Sequence, residues 1–400
     1  MRRNDKMTKQ QQSSLVSQIL KVLYAPHKVF KEVIENPKYI GPILILILFV
    51  AANIGLAYVL MSKTYVERTL PQTGQLDEWT ENATLWSSTS GASITENFND
   101  YMNGTYYGNR SISFSMLNSR RVSMELFNTG PVNCAGPDGF KNVSLRIKLT
   151  SPLVKPESAS IYLFSQAPAS YFSYNLTDTF SNSQSTVWSN LTLPLANDQW
   201  AGNNGPGWGT ITGLELDFAW PENSNITVLV DALFFRGVFK TPLETAATGY
   251  VMNYSVISLM QFAIEWLFLG GIIYIMIKGF GGKTVWRSVL IVIGFVLFIL
   301  FVQTVINAIA IATVPNLYYP LEFIGGVQGE RDIAVNTIYD QTMLASVVTG
   351  YLRIIVFVWT IALCGIATRL LTEFSWVKSF LISAVAFFAT ITLMSFIVGI

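Results

Sequence analysis

Hydrophobic and polar residues follow two different rhythms along this chain. Five stretches are apolar almost without interruption: 40–61, about 255–277, 288–314, about 344–371 and about 380–400. Each reaches the ~20 residues that a helix needs to cross roughly 30 Å of hydrocarbon. Between the first and second of them, residues 111–240 alternate with period two, as β-strands do. Val143, Leu145, Ile147 and Leu149 alternate with Ser144, Arg146 and Lys148, and Leu214, Leu216 and Phe218 alternate with Glu215 and Asp217. Ile226, Val228 and Val230 share one side in the same way. Gly/Pro/Asn/Asp clusters at 128–139 and 197–209 punctuate these runs as turns. The pattern predicts a multi-domain membrane protein: a five-helix transmembrane bundle carrying an all-β jelly-roll or sandwich ectodomain at 111–240. Residues 62–110 have no clear period and are expected to be an irregular linker with a short helix.

Residues 1–39 form an arm in which about 14–35 is expected to be an amphipathic helix. Val16, Ile19, Leu20, Leu23 and Tyr24 recur at helical spacing, with Lys21, Lys28 and Lys31 available for lipid phosphates. Such a helix lies on the inner leaflet or docks on the bundle, and the sequence leaves both open.

Charge gives the direction. Residues 1–38 carry eight Lys/Arg against three Asp/Glu, whereas residues 64–255 carry ten against sixteen. Basic residues favour the cytoplasmic side. Lys278, Lys283 and Arg287 mark one inner loop, and Arg369 and Lys378 another. Glu322, Glu330, Asp332 and Asp340 against Arg331 mark an outer one. The expected topology is a multi-pass plasma-membrane protein with the N-terminus cytoplasmic and with residues 62–254 and the C-terminus outside. Asn-x-Ser/Thr sequons at Asn82, Asn103, Asn109, Asn142, Asn175, Asn190, Asn225 and Asn253 all fall on that outer side. They point to a prokaryotic glycoprotein of the archaeal cell surface. The net charge of +1 gives no basic excess for nucleic acid.

Two resemblances add to this pattern. The strand succession carrying Trp188, Trp208 and Asp231 resembles carbohydrate-binding-module and galactose-binding-like jelly rolls. It implies a binding domain in which loop aromatics stack on sugar rings. Pro26, Phe30, Pro37 and Pro42, leading into the first apolar stretch, resemble the entry to the five-span Yip family in its prokaryotic branch. The family's Tyr-Gly-Pro signature is absent, so no GTPase partner is implied, and the large outer insertion departs from the family pattern.

The candidate ligand-binding residues are Trp200, Trp208, Tyr171 and Tyr174, in or near loops, with core packing as the alternative role. Asp217 and Asp231 are the candidate ligands of a structural calcium; no other metal or cofactor is expected. Inside the apolar stretches, polar residues are costly. Asn53, Gln261, Glu265, Gln303, Asn307 and Arg353 fall at similar depth, and a Glu265–Arg353 ion pair with the amides around it is expected. It would act as a staple between helices or line a polar path.

One histidine, His27, excludes a Ser-His-Asp triad, and no phosphate-binding Gly-rich motif is present. No enzyme is expected. The expected function is non-enzymatic: an adhesion or binding ectodomain on a membrane scaffold, with lipid, glycans or envelope proteins, and other membrane subunits as partners. The alternative is an accessory or permease-like subunit of a transport complex.

Overall fold

The computed structural model describes residues 15–72, 77–182 and 184–398. Arg2, Arg3, Lys6 and Lys9 of the basic arm, and the last two residues of the fifth apolar stretch, lie outside the described residues. In chain order the elements are α1 (Leu15–Lys21), α2 (Pro26–Glu35), α3 (Ile40–Lys63), β1 (Thr64–Leu70), α4 (Glu78–Glu81), β2 (Trp86–Ser87), β3 (Ser93–Asn97), β4 (Ser111–Val132), β5 (Asn142–Ser151), β6 (Ser158–Ser165) and β7 (Ala167–Asn175). They continue with α5 (Thr177–Asn182), β8 (Ser189–Pro194), β9 (Ala201–Asn203), β10 (Ile211–Lys240), α6 (Pro242–Gly279), α7 (Trp286–Val296), α8 (Phe298–Ala312), β11 (Leu317–Tyr319), α9 (Leu321–Gly325), α10 (Glu330–Thr372) and α11 (Trp376–Val398). The chain divides into a helical unit (Met1–Thr64, Pro242–Asn316, Gln341–Ile400) and a β unit (Tyr65–Thr241, Leu317–Asp340).

In the helical unit, α3 packs on α6, α7 and α8, and α11 packs on α6. Val289 to Val296 of α7 are all buried, which makes that helix the centre of the unit. Close approach explains Gly294: a Cβ there would come 2.5 Å from Pro42 Cβ. Five helical stretches, among them the joined α7–α8, are long and apolar enough to cross a membrane. Their outward positions are apolar too, including Ile43, Ile47, Leu267, Ile275, Ile309, Val358 and Phe388. Two helices begin earlier than their apolar stretches, at Pro242 and Glu330.

The expected amphipathic helix is two helices, α1 and α2, because Pro26 starts a new one at its first turn. Ile19, Val22, Val29, Phe30 and Val33 join the core of this unit, so the pair docks on the bundle. Leu20 and Tyr24 stay exposed.

In the β unit, hydrogen bonds link all eleven strands. The 22-residue β4 and the 30-residue β10 bend midway and serve two layers. Asn118, at φ +49, makes the bend in β4, and a register break between Ala219 and Ser224 makes the bend in β10. The first half of β10 pairs with the second half of β4 and with β6. Its second half pairs with the first half of β4 and with β5. The result is an antiparallel sandwich. Layer A runs β2-β4-β10-β6-β7-β9; layer B runs β3-β4-β10-β5-β8. β1 pairs with the end of β10, and β11 pairs with β1. Ile112, Phe114, Met124, Leu145, Ile161, Leu214, Phe218 and Val228 fill the space between the layers, each fully or almost fully buried.

Two segments differ from expectation. Residues 62–110 supply β1, β2, β3 and α4 rather than an irregular linker. β1 and β3 are short and borrow their order from β10 and β4, so their own side-chain alternation is weak. Residues 317–340, expected as a plain acidic loop, belong to the β unit. Leu321 packs with Tyr107, Ala232 and Phe234. Arg236 makes paired contacts to Glu67 (2.7 and 2.9 Å) and to Glu322 (2.5 and 2.8 Å). Arg146 grips both oxygens of Glu330 at 2.8 and 2.6 Å. Together with residues 97–107, this segment packs over the β10 and β5 part of the outer face of layer B.

Candidate functional site

The outer face of layer A carries no such cover across most of its width. Side chains directly opposite one another in a sheet share a face, so the registers define three cross-strand rows. The central row is Glu125, Glu215, Tyr162, Ser173 and Ala201. On one side run Phe127, Gly213, Phe164, Tyr171 and Asn203. On the other run Ser123, Asp217, Ser160 and Asn175. Strand alternation puts these residues outward because their chain neighbours Met124, Leu216, Ile161 and Phe172 point into the core.

The two tyrosines meet edge to face, with centroids 5.3 Å apart at 85°. Gly213 has no side chain to separate the rings of Phe127 and Phe164, which stack across it at 5.4 Å. Arg121 bonds Asp217 at 2.6 Å. The segment 87–90 walls the β4 edge: Thr89 N–H donates to Glu125, and Ser90 N–H donates to the Ser123 hydroxyl. Partial burial and the neighbouring acids Glu125 and Asp217 raise the Glu215 carboxyl above its usual range. The face therefore offers an aromatic surface beside a row of hydroxyl, amide and carboxylate groups. That combination suits a flat polyhydroxylated ligand with one apolar side.

Of the expected ligand-binding aromatics, only Tyr171 lies on this face. Trp200 is 7% exposed and donates its indole N–H to Pro194 O at 2.8 Å. Trp208 stacks on Phe172 at 3.8 Å, and Tyr174 tilts against Trp200 at 5.1 Å. All three belong to or pack against the core of the sandwich. Tyr174 shows the cause: it is an even number of residues from core-facing Phe172, so it shares that side. Sequence reasoning missed Tyr162, Ser173, Glu215 and Arg121 as site residues. The alternation that placed Glu215 and Asp217 off the core was the available signal.

The two calcium candidates are not brought together. Asp217 faces Arg121 on layer A, whereas Asp231 is fully buried on layer B beside Asp77, also fully buried. Asp231 Oδ2 accepts Met102 N–H at 2.6 Å, and its Oδ1 accepts Ala232 N–H at 2.7 Å. Asp77 Oδ2 accepts the Thr80 hydroxyl at 2.8 Å, and among the described residues Asp77 Oδ1 has no hydrogen-bond partner. Burial raises both carboxyls, and the neighbouring Asp77 raises Asp231 further, whereas the hydrogen bond with Asp231 lowers Asp77 in part; in the absence of a cation the pair retains a proton. Among the described residues no group of three or more His, Cys, Asp or Glu gathers as a metal site. A cation here would meet two carboxylates and the Thr80 hydroxyl, oxygen donors of the kind calcium takes.

In the helical unit the expected ion pair is absent among the described residues. Arg353 turns outward, with its guanidinium 5.3 Å from the Phe357 ring. Asn53 bonds back to Phe49 O in its own helix, and Asn307 Oδ1 is buried without a hydrogen-bond partner among the described residues. Matched depth did not fix the rotation of each helix about its axis. Gln261, Glu265 and Gln303 are half-buried.

Seven of the eight sequon asparagines are exposed and Asn142 is half-buried. Asn253, however, lies within α6 of the helical unit rather than in a loop of the β unit.

No protein-family model matches the chain, and no curated protein matches it. Solved structures do. A family 11 carbohydrate-binding module from Clostridium thermocellum, in complex with a β-1,3-1,4-mixed-linked tetrasaccharide, is 14% identical over 42% of this chain and 94% of its own, with a TM-score of 0.28. A family 30 module of a cellulosomal cellulase from the same organism is 13% identical over 39% and 91%, also at 0.28. A family 28 module specific for non-crystalline cellulose is 13% identical over 43% and 98%, again at 0.28.

Proposed function

We propose that this chain is a membrane-anchored receptor that binds neutral carbohydrate on the outer face of layer A. Its five apolar helices span the membrane, with the N-terminus cytoplasmic and the β unit outside, and they form a Yip-like scaffold. The observation that carries the reading is the set of three cross-strand rows. Tyr162 and Tyr171 offer rings to the C–H face of a pyranose, and Glu215, Asp217, Ser160, Ser173 and Asn203 offer hydrogen-bond partners to its hydroxyls. Charge argues for a neutral ligand: Glu125, Glu215 and Asp217 face one cation, Arg121, which is already paired with Asp217. An anionic glycan would be repelled.

The test uses the full-length protein in detergent, titrated calorimetrically with neutral and uronate-containing oligosaccharides. Saturable binding to neutral chains is expected. Tyr162→Ala and Glu215→Gln should each weaken it about tenfold or more, equivalent to about 1.4 kcal/mol or more, and leave the thermal midpoint in place. A folded protein whose binding ignores both substitutions would sink the assignment.

We assign the Asp77–Asp231 pair to a structural calcium. Two raised carboxyls make the folded state hold protons that the unfolded chain releases from about pH 4 upward. Stability in chelator should therefore fall as pH rises above that point, by up to about 1.4 kcal/mol per pH unit for each extra proton retained. Calcium would replace the proton, so its stabilising effect should be larger at pH 8 than at pH 5. Asp231→Asn should flatten both dependences. Thermal midpoints between pH 5 and 8, in chelator and in calcium, measure this; a midpoint that climbs with pH in chelator would contradict it.

A further inference from the structure

One residue of the platform is itself a sequon asparagine. Asn175 stands directly opposite Ser160, which stands opposite Asp217, so the outer rows run up to its carboxamide. It is exposed at the end of β7, beyond the three-residue strand β9. Its Oδ1 accepts Thr177 N–H at 2.8 Å, and among the described residues its Nδ2 makes no hydrogen bond. The nitrogen that would carry a glycan is therefore the free end of the group. Neighbouring strands lie about 4.8 Å apart and rows of one face about 6.8 Å apart, which places Tyr162 roughly 8 Å from Asn175 and Glu215 roughly 12 Å from it. The first sugars of an attached glycan span those distances.

The other exposed sequons of this unit are placed differently, Asn103 and Asn109 lying outside the strands. Asn190 is opposite Arg146 on layer B, and Asn225 is at the sandwich bend, where its Oδ1 accepts Asn118 N–H. Asn82 is engaged in a local turn with Thr84. By register, Asn175 is the sequon whose side chain enters the rows of the candidate face.

We infer that the platform is occupied by the protein's own glycan, joined at Asn175, and that this glycan competes with external carbohydrate. The inference rests on the carbohydrate-binding reading of layer A. Attachment forms a bond between Asn175 Nδ2 and C1 of the first sugar. The C1–O bond to the phosphate of a lipid-linked glycan donor breaks, the phosphate keeps the electron pair, and the amide gives up one proton. An attached ligand has a high effective concentration at a nearby site when its tether matches the span. External ligand must then displace it.

The experiment uses the full-length protein from a glycosylating host. Glycopeptide mass spectrometry reads occupancy at Asn175. The probe is the pool of N-glycans released from the wild-type protein, titrated against wild type, Asn175→Asp and Asn175→Gln. Asn175→Asp keeps the acceptor oxygen for Thr177 N–H and guards against a folding defect. The expected result is a modified Asn175 and binding of the released pool about tenfold tighter or more to the two variants than to wild type. Adding Tyr162→Ala to either variant should remove that gain. An unmodified Asn175, or equal binding by wild type and variants, overturns self-occupancy and leaves the platform standing. Folded variants that bind neither the released pool nor any neutral oligosaccharide overturn the platform and the inference together.

Discussion

Trp200→Ala is expected to destabilise the β unit by about 3–5 kcal/mol, the range for truncating a large buried aromatic. The ring is 7% exposed, sits between Trp208 and Tyr174, and holds Pro194 O through its N–H. Removing it opens a cavity and leaves that carbonyl without its donor. Trp208→Ala strips the partner stacked at 3.8 Å on Phe172 and should fall in the same range. For a domain of this size each kcal/mol moves the thermal midpoint by roughly 2–4 °C, so the shift is easily read by near-ultraviolet circular dichroism. Tyr162→Ala should do the opposite: binding lost, midpoint kept. If Trp200→Ala instead removed carbohydrate binding at an unchanged midpoint, the ligand would lie at the β7–β9 edge and the three rows would not be the site.

Arg236→Met should be comparably severe. Arg236 pairs with both Glu67, whose side chain is 2% exposed, and Glu322. Breaking a buried ion pair from one side typically costs about 3–5 kcal/mol, because a charge is left uncompensated. Glu67 also accepts Gly237 N–H and Leu321 N–H, so its displacement loosens both β10 and the 317–330 segment. Combining Arg236→Met with Glu67→Gln should recover part of the loss, since the buried charge goes with its partner. Hydrogen exchange would place the damage: faster exchange at 317–325 and 235–240, with the layer A strands unaffected. The Arg236 guanidinium outweighs burial and holds the Glu322 carboxyl below its usual range. The wild-type contact is thus complete at neutral pH and fails as pH falls through that lowered value. In Arg236→Met this acid sensitivity should disappear. Uniform protection in the variant would argue that the segment is held by Leu321 and β11 alone.

Long periodic features were legible in the sequence. The five apolar stretches and the alternation in β5 and β10 are properties of consecutive residues, and the structure places helices and strands there. What sequence could not supply was register and rotation. Tyr171 and Phe172 are adjacent, and both are aromatic. Which of them faces outward depends on which side β6 and β10 bury. The same holds for Arg353, whose depth was readable and whose azimuth was not. The 317–340 segment was illegible for a related reason. Glu322 and Glu330 find Arg236 and Arg146 across a large sequence separation, and nothing local in an acidic loop announces a guanidinium waiting elsewhere. The coarse site was partly readable, because Glu215 and Asp217 already alternated away from the core. Their partners Tyr162 and Ser173 came from other strands.

The discontinuity of the β unit bears on how the protein is made. Its final piece, Leu317–Asp340, is encoded after α6, α7 and α8. Translation at roughly 5–20 residues per second separates Thr241 from Leu317 by seconds. During that interval the nascent domain presents Arg236, Glu67 and the Tyr107–Phe234 surface unfinished, and β1 lacks its outer neighbour. A cell producing this chain must shield that surface until three more helices have been synthesised. A fragment ending at 250 would remain permanently in the half-assembled state that the ribosome only passes through.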